Sequence, residues 1–141
     1  MPVSIIQLLS ENEKELLFIS SKILEDHLDE FSNIFFDKLL LTNARDLFFA
    51  TNMDILKNKF ISSLRIILIN MKYPTNLNDY INLLITKHIH HNINTIQLES
   101  FADSFIDSLK LLDGKNFEGR TLKAWKRFID ELLNLFRKQL T

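Results

Sequence analysis

Leu84-Ile85-Thr86-Lys87-His88-Ile89-His90-His91-Asn92-Ile93 is an apolar helical run that ends in three histidines. At helical spacing Ile81, Leu84, Ile85 and His88 fall at i, i+3, i+4 and i+7. The imidazole of His88 therefore continues an apolar stripe expected to face the core, whereas His90 points away from it. A neutral imidazole in apolar surroundings is the form whose ring nitrogen can ligate a metal. The same spacing also suits a core histidine satisfied by a backbone carbonyl. His88 and His91, one helical turn apart, would further suit a zinc site completed by carboxylates or waters.

The composition narrows what such a site can be. The chain of 141 residues has the size of one globular domain and is long enough to bury a continuous core. A net charge of -1 gives no electrostatic reason to expect nucleic acid or an anionic membrane as a partner. With no cysteine there is no disulfide, no thiolate metal site and no thioether-linked pigment, so any cofactor is held without cysteine. The start, Met1-Pro2-Val3-Ser4-Ile5-Ile6, lacks a basic segment followed by a long apolar run, and no charge-free window reaches bilayer-spanning length. A soluble protein of the cytoplasm or another intracellular compartment is expected.

Only two glycines and two prolines leave few of the turns that strands need, so the expected fold is all-α. Ser10-Glu11-Asn12-Glu13 has the form of a capping box and should start a helix with Leu16, Leu17, Ile19, Ile23 and Leu24 as its apolar stripe. A second helix runs through Phe31, Ile34, Phe35, Phe36, Leu39 and Leu40, with Asp26, Asp29, Glu30 and Asp37 on a solvated face. A turn or helical corner over Thr42-Asn43-Ala44-Arg45-Asp46 precedes Leu47-Phe48-Phe49, and Thr51-Asn52-Met53-Asp54 starts a helix with a wholly apolar inner face from Ile55 to Leu68. That helix stops before Tyr73-Pro74. Asn76, Asn78 and Asp79 then read as a polar connection into the helix that ends at His88. Asn94 or Thr95 caps a helix through Ile96, Leu98, Phe101, Phe105, Ile106, Leu109 and Leu112, which Asp113-Gly114 ends. The last helix, from about Phe117, presents Leu122, Trp125, Ile129, Leu132, Leu133 and Phe136, with basic residues toward its dipole-favoured end.

In this order the elements resemble the single-domain bacterial-type globins. Leu84-x-x-x-His88-x-x-His91-Asn92-Ile93 is similar to the proximal signature of that family, with His88 in the place of the heme-ligating histidine. Phe35-Phe36-Asp37-Lys38-Leu39 resembles the family's Phe-Tyr-x-x-Leu, and Leu47-Phe48 its heme-stacking phenylalanine, for which Phe49 is an alternative. Asn52-Met53-x-x-Leu56-x-x-Lys59-Phe60 resembles the distal-helix start, and Ala124-Trp125 the Ala-Trp of the last helix. The resemblance implies a globin fold over 1–141, about seven or eight helices around one heme b, an iron protoporphyrin IX. It assigns His88 to the iron and places Phe36, Phe48, Leu56, Phe60, Lys87, Ile93, Leu98 and Phe101 around the heme, with Lys87 or Lys59 near the propionates.

The implied function is reversible binding of a diatomic gas (oxygen, carbon monoxide or nitric oxide) as a carrier or sensor, for instance in oxygen transport. The chain departs from the pattern where the family often places tyrosine and glutamine over the iron, since Phe36 and Leu56 cannot donate a hydrogen bond. No reductase domain follows Thr141, so a self-sufficient nitric oxide dioxygenase is not expected and electrons would come from an external reductase. The alternative is a heme-free, globin-shaped helical module that acts by protein contact.

Overall fold

The computed structural model describes residues 5–89 and 93–140. Among them the chain is all-α. Its helices are α1 (Glu11–Glu25), α2 (Leu28–Leu39), α3 (Met53–Ile69), α4 (Pro74–Ile89), α5 (Thr95–Leu112) and α6 (Gly119–Leu140), with short 3-10 helices at Ile6–Leu8, Asn43–Phe48 and Asn70–Lys72. Local chemistry sets most boundaries. The Ser10 hydroxyl accepts from the Glu13 backbone N–H at 3.1 Å while the Glu13 carboxylate accepts from the Ser10 N–H at 2.8 Å, a closed capping box. Asn52 caps α3, and Asn94 caps α5 in a second box with Gln97.

The structure departs from the sequence pattern at three places. Asn76, Asn78 and Asp79 lie inside α4, because Pro74 opens that helix at a position where its missing N–H costs nothing and its fixed φ suits the first turn. Ile19 and Ile55 are exposed, so the stripes of α1 and α3 are narrower than their apolar residues suggest, and α3 buries Leu64, Ile67 and Leu68. Phe117 is fully buried in the turn before α6, not within the helix, and the N-terminal Ile5, Ile6 and Leu9 also join the core.

The helices interlock around aromatic side chains. α2 lies against α5 and α3, α6 against α1 and α5, and α4 chiefly against α6. Trp125 of α6 is fully enclosed and its indole N–H donates to Ser20 Oγ of α1 at 2.8 Å; the Ser20 hydroxyl donates onward to the Leu16 carbonyl at 2.6 Å. This relay pairs a buried donor that apolar packing alone would leave unsatisfied. Ser20→Ala strands the indole N–H and should cost about 1–3 kcal/mol in urea denaturation.

Two carboxyls link the folded chain to pH. The Ser10 backbone N–H, with help from its hydroxyl, holds the Glu13 carboxyl below its ordinary value, and the Asn116 side chain does the same for Asp113 just past α5. A carboxyl depressed in the folded state contributes stability above its ordinary pKa and loses that contribution as pH falls through the depressed value. Stability should therefore decline on acidification below the usual carboxylate range. Glu13→Gln should make the curve shallower there, as read by urea midpoints across acid pH.

Candidate functional site: the aromatic wall and His88

The α2 row Phe31, Phe35 and Phe36 meets one residue of α3 and two of α5. Phe35 stacks face to face on Phe60 at 4.8 Å between ring centroids, with planes only 3° apart. Phe36 sets its edge against Phe60 at 5.2 Å and against Phe48 at 6.0 Å. Phe101 and Phe105 close the cluster from α5, edge-on to Phe35 at 5.2 and 6.1 Å. Such offset and edge-to-face pairs add about 0.5–1.5 kcal/mol each beyond the area they bury.

The side chains proposed from sequence fall into two groups. Phe36 and Leu98 are buried, whereas Phe48, Leu56, Phe60, Ile93 and Phe101 are half-buried and packed against the core. Phe36, Phe48, Phe60 and, through Phe35, Phe101 form one continuous set of rings. Lys87, Lys59 and His88 are exposed.

For His88 this corrects the expectation that it faces the core. Leu77, Ile81 and Ile85 form a fully buried row on α4, and His88 continues that row one turn past the point where the core ends. The ring is nevertheless held. His88 Nδ1 lies 2.7 Å from the Leu84 carbonyl oxygen, which can only accept, so Nδ1 carries the hydrogen. In the neutral imidazole the lone pair then sits on Nε2. A second support comes from Phe136 of α6, whose ring meets the imidazole edge-on at 6.1 Å and 75°. Phe136 is a core residue of α6 by its spacing, and nothing in the sequence links it to His88. His90, His91 and Asn92, including the His91 of the alternative zinc site, lie outside the described residues. Among the described residues no three His, Asp or Glu side chains come together as a metal site.

The globin family model matches residues 31–135. The chain belongs to the globin family. The matched span runs from the first phenylalanine of the aromatic row to the inner face of α6 and takes in His88. No curated protein matches the chain. Globins are heme-binding proteins, and membership supports heme binding by this chain in general.

The donor set of this globin fits that group on its own terms. A heme-ligating imidazole needs one nitrogen anchored to a hydrogen-bond acceptor so that the other is oriented toward the iron, and the Leu84 carbonyl provides that anchor. A porphyrin also needs an apolar, aromatic wall. The half-buried rings of Phe48, Phe60 and Phe101 meet that need. Two surface grooves, of about 330 Å³ between α5 and α6 and about 350 Å³ between α2 and α3, border neither His88 nor these rings. The second is lined by Asp29, Asp54, Lys57 and Asn58, too polar for a porphyrin. No described helix is long and apolar enough to cross a membrane.

The corner after the short helix Asn43–Phe48 gives two neighbouring phenylalanines different surroundings. Phe48 packs on Phe36, while the left-handed backbone of Ala50, φ 64°, follows a Phe49 that is 90% exposed. Phe48→Ala should cost about 1–2 kcal/mol, the transfer cost of a half-buried ring. Phe49→Ala should change stability by less than about 0.5 kcal/mol. Equal losses in urea denaturation would contradict the assignment of Phe48 to the wall.

Proposed function

We propose that this globin holds one non-covalent heme b through His88 and reversibly binds a diatomic gas as a carrier or sensor. The observation that carries the reading is the 2.7 Å hydrogen bond from His88 Nδ1 to the Leu84 carbonyl within a globin frame. Bound heme supplies an iron that can coordinate oxygen, carbon monoxide or nitric oxide. In this reading His88 presents Nε2 to the iron, Phe48, Phe101 and Leu98 form the apolar wall, and Ile93 closes the proximal corner. Lys87 and Lys59, both exposed, face the propionates from the rim. The chain acts as a single globin domain, with electrons supplied by an external reductase.

On the distal side Leu56 and Phe60 are half-buried and Phe36 is buried, and none of them has a hydrogen-bond donor. Carbon monoxide depends less on such donors than oxygen does, so this roof should favour carbon monoxide and release oxygen quickly. A second reading, a heme-free globin-shaped interaction module, is favoured by the exposure of His88 and the close ring packing around Phe60.

Side-chain replacements separate these readings. His88→Ala should abolish stable heme coordination, seen as loss of the Soret band, whereas His90→Ala and His91→Ala should leave the band nearly unchanged. Leu56→Gln puts an amide into the roof. If one hydrogen bond of about 1.4 kcal/mol forms, oxygen release slows about tenfold in stopped-flow mixing. An oxygen off-rate that is slow already in the native chain and unmoved by Leu56→Gln would mean that a polar group lines the roof. Soret absorbance that survives His88→Ala unchanged would remove His88 as the ligand.

A further inference from the structure

We propose that Phe136 is a positioning residue for the His88 imidazole; the proposal rests on the reading of His88 as the heme ligand. His88 sits at the open end of α4, exposed, one turn past the fully buried Ile85. A hydrogen bond from Nδ1 to Leu84 sets the tautomer and one direction of the ring. The Phe136 ring restrains the imidazole from the side of α6. It approaches edge-on at 6.1 Å and 75° from α6, and, unlike His88, it is itself a core residue, only 9% exposed.

The support behind Phe136 is firm. Leu133 and Ile129, one and two turns earlier on the same face of α6, are buried. The exposed imidazole thus leans on a plate built into the core, and α6 transmits the position of the core to the end of α4. Partners that orient a ligating histidine govern metal-site affinity although they never touch the metal.

Phe136→Leu keeps an apolar side chain in the core while removing the flat ring, and Phe136→Tyr restores the ring. In the heme-free chain the His88 ring-proton resonances should move in Phe136→Leu and return toward the native positions in Phe136→Tyr. In the heme-loaded chain Phe136→Leu should speed heme loss to an acceptor protein by about tenfold to a hundredfold and broaden the iron–histidine stretching band. Phe136→Tyr should restore both. Native heme-loss rates and an unchanged iron–histidine band in a folded, heme-loaded Phe136→Leu chain would overturn the proposal while leaving the heme reading intact. A His88→Ala chain that keeps heme as tightly as the native one would remove the reading beneath it. If Phe136→Leu does not fold, Phe136→Met, which preserves volume without a plane, takes its place with the same expectations.

Discussion

The stack of Phe35 on Phe60 is the contact on which the rest of the globin depends. Phe35 is fully buried and meets rings from α2, α3 and α5 at once, so three helices are registered against one side chain. Phe105 extends the contact to Trp125, at 6.0 Å, and Trp125 ties α6 to α1 through Ser20. Close-packed interiors transmit strain, so a shift of Phe35 is felt both at the wall of half-buried rings and at the indole relay.

α4 stands apart from this arrangement. Its buried row, Leu77, Ile81 and Ile85, docks it chiefly on α6, and its contacts with α3 are few. His88 emerges where that docking ends. The aromatic rings belong to α2, α3 and α5, whereas His88 stands at the end of a helix docked chiefly on α6. The Leu84 carbonyl and the Phe136 ring are among the groups that hold its imidazole.

How much of this was legible in the sequence follows from how far apart the interacting residues lie. The capping boxes at Ser10 and Asn94 involve side chains three residues from their partners, so their residue types announce them. The all-α class followed from the scarcity of turn residues together with long apolar stripes. The start of α4 was misread because three polar residues resemble a connection, while the proline before them, a helix opener here, resembles a stop. Periodicity found the direction of His88 but not its exposure, because spacing reports the face of a helix and not where its neighbours end. The pairing of His88 with Phe136 joins two helices remote in the chain and has no local signature at all. The family match over 31–135 bears out the resemblance to single-domain globins that the sequence carries.

The central claim, that the protein is a globin with heme on His88, is tested most directly by an absorption titration of the purified native chain with hemin, followed by reduction and exposure to carbon monoxide. The account predicts saturation at one heme per chain, with a Soret band that sharpens and shifts on adding carbon monoxide to the ferrous form, as for a histidine-ligated globin. A titration with no endpoint and a spectrum indistinguishable from free hemin would contradict it and leave a globin fold that works without heme.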